Sequence, residues 1–256
     1  MVFIEERHAE ILNMLNKNGR IVLSDIQERF SVSSDSARRD LRILESKGLL
    51  KRTHGGAIPI PKVGIKPTYS TVRDIGEGTK EDQAIARRAV KMIRDGDTVF
   101  LTSATLGFLM AQYLPSTIKI TVVTNSIILA DILREYEYIT TYIVGGKMRK
   151  TGAAVDDIAI SFVKNLRYDL YFTTGSGLSA EFGLSNGTPE TAAFQKAIIE
   201  NSLKTVCIIK SDRIGVNGFI HCVNASKLSC VITGGEADEE CLNTIAEQGP
   251  EIITVT

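Results

Sequence analysis

The sequence predicts an α/β protein in two parts: an N-terminal winged helix-turn-helix, then a larger, mostly parallel α/β domain. Three observations predict it. The first sixty residues hold three short amphipathic stretches ahead of a Gly-Gly turn. A stretch with three prolines, Pro59, Pro61 and Pro67, follows and has few apolar residues in phase. From Thr79 onward, short β-branched runs alternate with helical stretches, the pattern of a parallel sheet covered on both faces. The expected boundaries are 1–57 for the small domain, 58–74 for the linker and 75–256 for the large domain.

In the first part, EERHAEILNMLNKNG carries Ile11, Leu12 and Leu15 at helical spacing, and Asn18-Gly19 ends it. LSDIQERF reads as a second helix with Ile26 and Phe30 inward and Ser24 as its N-cap. A third helix is capped by Ser33 and keeps Asp35 and Ser36 in its first turn, where the helix dipole favours an acid. Ala37, Leu41 and Leu44 form its apolar stripe, and Ser34, Ser36, Arg38, Arg39 and Arg42 fall largely outside it. Gly48 stops this helix, and LLKRTHGGAI gives two short strands around Gly55-Gly56, a wing.

In the second part, helices are expected near 80–94, 105–114, 126–135, 156–165, 189–201 and 238–247. Strands are expected in TVFLT, KITVVTN, ITTYIVGG, YDLYFTTG, TVCIIK, CVIT and EIITVT.

Composition narrows the function classes. The 256 residues carry 30 Lys/Arg and 30 Asp/Glu, so any affinity for a polyanion must come from local clustering. Residues 31–60 have such a cluster: Arg38, Arg39, Arg42, Lys47, Lys51 and Arg52 face only Asp35, Asp40 and Glu45. Cys207, Cys222, Cys230 and Cys241 form no CxxC pair, which points to buried thiols in a reducing compartment. No apolar run approaches a membrane span, and MVFIEERHAEIL has acids where a leader would not. The expected location is the cytoplasm, with no membrane partner, no cofactor and no metal.

A charged helix face is usually just solvated. Here it follows a capped helix-turn-helix and precedes a basic wing, and that combination points to double-stranded DNA. Base edges lie at the floor of the major groove, so short polar groups and Arg forks belong at the helix N-terminus. Ser34 and Ser36 stand there, and Arg38, Arg39 and Arg42 follow. Of the adjacent arginines, one is expected to meet base or phosphate and the other to pair with Asp35 or Asp40. Lys51, Arg52 and His54 on the wing are expected to touch the neighbouring backbone or minor groove.

These residues carry a resemblance. Ser36-Ala37-Arg38-Arg39-Asp40-Leu41 and His54-Gly55-Gly56-Ala57 resemble the N-terminal hallmark of the DeoR/GlpR-type bacterial transcriptional regulators, with Ala37 where Ile is usual. The resemblance runs to the C-terminus. It implies a second domain similar to ribose-5-phosphate isomerase that senses a phosphorylated sugar.

Loops at the C-terminal ends of parallel strands suit such a ligand. The candidates are Ser103 and Thr105, Asn125, Gly145, Gly175-Ser176-Gly177, Lys210 and Arg213, with Lys196 on a helix expected to face the same end. The chain departs from the family pattern here. Thr102, Ala104 and Leu106 replace an acid, a glycine and a threonine, and Lys210 and Arg213 replace a carboxylate and a lysine. Two carboxylates are lost, yet Lys210 and Arg213 leave the rim positive. Each Ser, Thr or Gly also has a structural reading as a cap or a turn.

The sequence therefore reads as a DNA-binding regulator, a repressor of a sugar-metabolism operon. Its effector is a phosphorylated sugar or related small anion, and it acts as a homo-oligomer. Two alternatives stay open: the same regulator with a vestigial pocket, and a sugar-phosphate enzyme carrying a DNA-binding head. No acid stands in the loop where an isomerase base would, which counts against the enzyme.

Overall fold

The computed structural model describes residues 4–53, 55–59 and 78–256; His54 and nearly all of the expected 58–74 linker lie outside the described residues. The chain divides into two compact units, residues 1–62 and 63–256.

The first unit runs α1 (Ile4–Asn18), β1 (Ile21–Val22), α2 (Leu23–Phe30), α3 (Ser34–Ser46), β2 (Lys51–Thr53) and β3 (Gly56–Ile58). α1 stops where Gly19 takes φ +74°, and its N–H donates to the Leu15 carbonyl at 2.9 Å. α3 starts with the Ser33 hydroxyl accepting from the Ser36 N–H at 3.2 Å, and ends against Gly48 at φ +66°. Ile11, Leu15, Ile21, Ile26, Leu41 and Leu44 are among the residues that close the core between the three helices and the wing.

One local expectation fails. Ser24 does not cap α2; that helix begins at Leu23, directly after Val22, whose N–H donates to the Asp25 carboxylate at 3.4 Å. The reason is β1, a two-residue strand that pairs antiparallel with β3 and so carries Val22 straight from strand into helix. Two residues are too few to show a period, so β1 left no trace in the pattern.

The expected Gly-Gly turn is present, and the structure supplies its reason. A Cβ on Gly56 would sit 1.9 Å from the Ile21 carbonyl oxygen, whereas one on Gly55 would meet nothing within 4 Å. Close approach of β1 therefore requires the second glycine.

The second unit is built on a seven-stranded parallel sheet in the order β13-β12-β10-β7-β4-β5-β6. Its strands are β4 (Thr98–Leu101), β5 (Ile120–Thr124), β6 (Ile139–Ile143), β7 (Tyr168–Thr173), β10 (Ser202–Ile208), β12 (Cys230–Gly234) and β13 (Glu251–Val255). α4 (Lys80–Val90), α5 (Thr105–Tyr113) and α6 (Ile127–Leu133) bury one face, sharing a core with Val99, Leu101, Val206 and Ile208. α7 (Asp157–Lys164), α8 (Pro189–Ile199) and α9 (Glu239–Ala246) bury the other, over Phe100, Tyr171, Cys207 and Val231. Adjacent residues on one strand thus feed opposite cores, as the period of two demands.

A second, three-stranded antiparallel sheet joins β8 (Gly177–Ser179), β9 (Gly183–Asn186) and β11 (Ile220–Val223) in the order β11-β9-β8. Sequence reading missed it because its strands are short and β8 and β9 start on glycines. Cys207, Cys222 and Cys230 are buried, and burial pushes the Cys222 thiol up to about 12.

Strand order fixes where a ligand can sit. The chain leaves β4 outward through β5 and β6, then returns to the other side of β4 with β7. The loops after β4 and β7 therefore diverge and leave a crevice at their C-terminal ends.

The glycine pair gives a direct test. Gly56→Ala is expected to destabilise the first unit by about 1–3 kcal/mol, and Gly55→Ala by less than about 0.5 kcal/mol. Hydrogen exchange of the α3 amides in the full chain reads both.

Candidate nucleic-acid interface and effector site

The outer face of α3 is set by its inner one. Ala37, Asp40, Leu41 and Leu44 are buried, and Arg38, Arg39 and Arg42 are exposed. Asp40 is only 2% exposed. Arg7 grips it bidentately from α1, Nε to Oδ2 at 2.7 Å and Nη2 to Oδ1 at 3.1 Å, and His8 Nε2 lies 3.1 Å from Oδ1. Burial pushes the Asp40 carboxyl up, but the Arg7 and His8 hydrogen bonds outweigh it and hold the group below the ordinary carboxylate range. Asp40 thus does not pair with Arg38 or Arg39, as one sequence expectation had it. It faces inward and binds α3 to α1.

Among the described residues, Arg38, Arg39, Arg42 and Lys51 have no hydrogen-bond or ion-pair partner. With the exposed Asp35, Arg39 and Arg42 lie opposite the buried stripe, and Arg38 lies on its flank. Ser34 and Ser36 are half-buried at the helix start, and Ser36 accepts from the Ser33 hydroxyl at 3.1 Å. Arg52 is engaged within the unit. Its Nε donates to Glu45 Oε2 at 2.7 Å and its N–H to Glu45 Oε1 at 3.0 Å, which ties the wing to α3. Sequence reasoning missed the clamp of Arg7 and His8. Its one legible signal was two adjacent basic side chains on a helix start otherwise rich in acids.

In the second unit the predicted effector residues divide. Ser103 in the turn after β4 and Thr105, the first residue of α5, are part-exposed, and Ala104 at the N-cap of α5 offers no capping side chain. After β7, Ser176 N–H donates to the Ser185 carbonyl at 2.8 Å, and Arg213 Nη1 donates to the Ser176 carbonyl at 3.3 Å. These residues share the crevice end of the sheet. Gly175 and Gly177 have packing roles: a Cβ would sit 2.6 Å from Leu184 Cδ1 and 2.1 Å from the Val216 carbonyl, respectively. Gly145 is exposed with nothing within 4 Å of its Cβ position.

Asn125 is 4% exposed. Its Nδ2 donates to the Ala154 carbonyl at 2.9 Å, and its Oδ1 has no partner among the described residues. An orphaned buried acceptor at a strand end suits a hydroxyl donor from a ligand.

Two expectations need correction. Lys196 does not face the strand ends; it lines a cleft of about 450 Å³ with Ser202 and Ser229, at the opposite end of the sheet. Lys196 sits in the last turn of α8, and an antiparallel crossover helix delivers its last turn to the start of the next strand. The rim is also not simply positive. Lys210 Nζ lies 3.8 Å from Asp82, Arg213 Nε lies 3.4 Å from Asp212, and Ser211 N–H donates to Glu81 at 2.7 Å. The start of α4 thus adds Glu81 and Asp82 to the Asp212 of the loop after β10.

One cation escaped the sequence reading. Arg149, on the turn between Met148 and Ala154, donates to Thr191 Oγ1 at 3.1 Å and reaches Glu190 at 3.4 Å, at the N-terminus of α8. No periodicity or motif marks it.

Comparison with known proteins agrees with both units. Residues 7–62 match the DeoR-like helix-turn-helix domain, and residues 77–235 match the DeoR C terminal sensor domain. The HTH-type transcriptional regulator GlpR of Haloferax volcanii is 29% identical over 248 residues, covering 97% of this chain and 96% of that protein. The lactose phosphotransferase system repressor of Staphylococcus aureus (strain N315) is 30% identical over 94% of this chain and 95% of its own length. Among solved structures, ribose 5 phosphate isomerase A from Neisseria gonorrhoeae aligns over 52% of each chain at 15% identity and a TM-score of 0.38, too slight to carry an argument. No helix among the described residues is long and apolar enough to cross a membrane.

The clamp gives a pH test. Asp40 has a lowered folded-state pKa, so its contribution is present above the ordinary carboxylate pKa of about 4 and is lost as pH falls through the lower folded value. Asp40→Asn is expected to cost the first unit about 3 kcal/mol at neutral pH and to flatten the pH dependence of its stability below the ordinary carboxylate pKa of about 4. Exchange of the α3 amides across that range checks both.

A winged helix with an outward row of arginines, a sheet whose strand order opens a crevice, and two matched family models covering most of the chain lead to one assignment. The chain belongs to the DeoR family of transcriptional regulators.

Proposed function

We propose that this chain represses a sugar-metabolism operon by binding operator DNA through α3 and the wing, and that a small phosphorylated sugar or related anion at the strand ends controls that binding. The observation that carries the DNA half is the row of Arg38, Arg39 and Arg42, exposed and without partners among the described residues, on a helix whose rotation Asp40 fixes. In this reading α3 enters the major groove N-terminus first. Ser34 and Ser36 then meet base edges, and the arginines meet guanine or phosphate. Lys51, and the part of Arg52 that Glu45 does not hold, contact the flanking backbone; His54 would join them. The relatives named as repressors support the sign of regulation.

For the effector half, Ser103, Thr105 and Ser176 supply hydroxyls, Arg213 and Lys210 supply cations, and Asn125 offers an acceptor. Asp82 and Asp212 lie within ion-pair distance of those cations, so an anion would compete with the chain's own carboxylates. That competition is a route by which ligand could shift the loops between two arrangements. We read the domain as non-catalytic and without a cofactor. Asp82 caps α4 through Thr79 at 2.7 Å and Glu81 holds Ser211, which leaves neither free as a general base. The boundaries proposed are 1–57, 58–74 and 75–256, and a homo-oligomer in the cytoplasm is the working form, because two heads on one operator raise effective concentration.

Arg38→Ala and Arg39→Ala are each expected to weaken operator binding by about 1–3 kcal/mol, with a salt slope reduced by about one if the contact is phosphate. Unchanged affinity in both would remove α3 as the reading helix. A panel of sugar phosphates titrated into the operator complex should contain one that changes affinity about fivefold or more, an effect Arg213→Ala abolishes. A panel without any such compound would favour a closed, vestigial site, consistent with the internal ion pairs.

A further inference from the structure

We propose that α7 is a self-recognition surface, docking antiparallel on α7 of a second copy across a two-fold axis. The inference deepens the reading that the regulator works as an oligomer, and it rests on the helix itself. Ala159 and Val163 bury one side of α7 in the core, alongside α8. The exposed side carries, on its flank about 100° round from that pair, Ile158, 66% exposed, and Phe162, 38% exposed. They stand one turn apart and form a single apolar row.

Beside that row runs a second one, Asp157, Ser161 and Lys164, spaced i, i+4 and i+7. The Asp157 and Lys164 side chains are exposed and have no partner among the described residues. About 10 Å of helix rise separates them, too far for them to pair with each other. The neighbouring Asp156 is already engaged, accepting from Lys147 N–H at 2.9 Å and Ala159 N–H at 3.1 Å.

Antiparallel pairing satisfies both rows at once. A two-fold axis between side-by-side helices sets each row against its own copy, reversed. Ile158 then meets the second copy's Phe162, and Asp157 meets the second copy's Lys164, in almost the same register. Ser161 falls next to the axis. The acidic end of one helix thereby meets the basic end of the other, so charge as well as shape favours a second copy over an unrelated partner. Tyr142, 51% exposed on β6, points to the same face of the sheet, because its neighbours Thr141 and Ile143 line the groove under α6. A standard interface buries about 800 Å² a side, more than one short helix offers, so Tyr142 is expected to belong to it.

The test uses the full chain. Sedimentation should give a dimer or a larger even-numbered assembly at micromolar concentration, and Phe162→Lys should raise its dissociation constant at least tenfold. Asp157→Lys and Lys164→Asp should each weaken assembly, and the double charge swap should restore it. Ser161→Cys should form an intermolecular disulfide that the parent chain does not form. Circular dichroism confirms that each variant is folded, which these exposed positions lead one to expect. A monomeric parent chain, or an assembly indifferent to Phe162→Lys and not cross-linked through residue 161, overturns the proposal. Operator binding measured on the same variants separates the two readings. Cross-linking without DNA binding would refute the regulator reading alone, and DNA binding without cross-linking would refute this interface alone.

Discussion

A carboxylate as buried as Asp40 cannot stay ionised without partners, and it finds them on a different helix. Arg7 and His8 reach it from α1, and because they hold it, α3 cannot rotate about its own axis. That single constraint sorts the charged side chains of the helix. The acid within the Arg-Arg-Asp-Leu run turns inward, and the arginines beside it are left outward, without partners among the described residues. Hydrophobic burial of Ala37, Leu41 and Leu44 favours the same orientation, but an apolar stripe tolerates some slip, whereas a bidentate ion pair does not. The price of burying a charge here is offset by geometry: three hydrogen bonds converge on one carboxylate.

A second constraint, of topology, organises the larger unit. Because β7 returns to the far side of β4, the loops that follow these strands part and leave polar groups around an opening. The same return places α7 on the face opposite α6, beside α8, with one side of it unburied. One feature of strand order thus accounts for both the crevice and the exposed helix. Charge in the crevice is not set by its loops alone. Glu81 and Asp82, far off in sequence, come back to the loop after β10 and match Lys210.

Features with local causes were legible in the sequence. Ser33, Gly19 and Gly48 act within a turn or two of their own positions, so capping and stop signals placed α1 and α3 correctly. All seven strands of the parallel sheet carry β-branched or, in β7, aromatic residues and were anticipated. Long-range causes were hidden. The Gly56 requirement comes from β1, 35 residues earlier; the partners of Asp40 lie 33 and 32 residues away, and Ser211 meets Glu81 across 130. Lys196 was misplaced because helical spacing says which face a residue occupies, not which end of a sheet its turn reaches. The Arg149 contact with α8 spans 42 residues and had no local signature either.

The central claim is that α3 meets DNA because Asp40 holds its arginines outward. Hydrogen exchange of the full chain, alone and bound to a duplex it has selected from a random pool, tests this most directly. The account predicts new protection concentrated in the first turns of α3 and in β2. Tight, salt-sensitive DNA binding that leaves the exchange of α3 unchanged would contradict it.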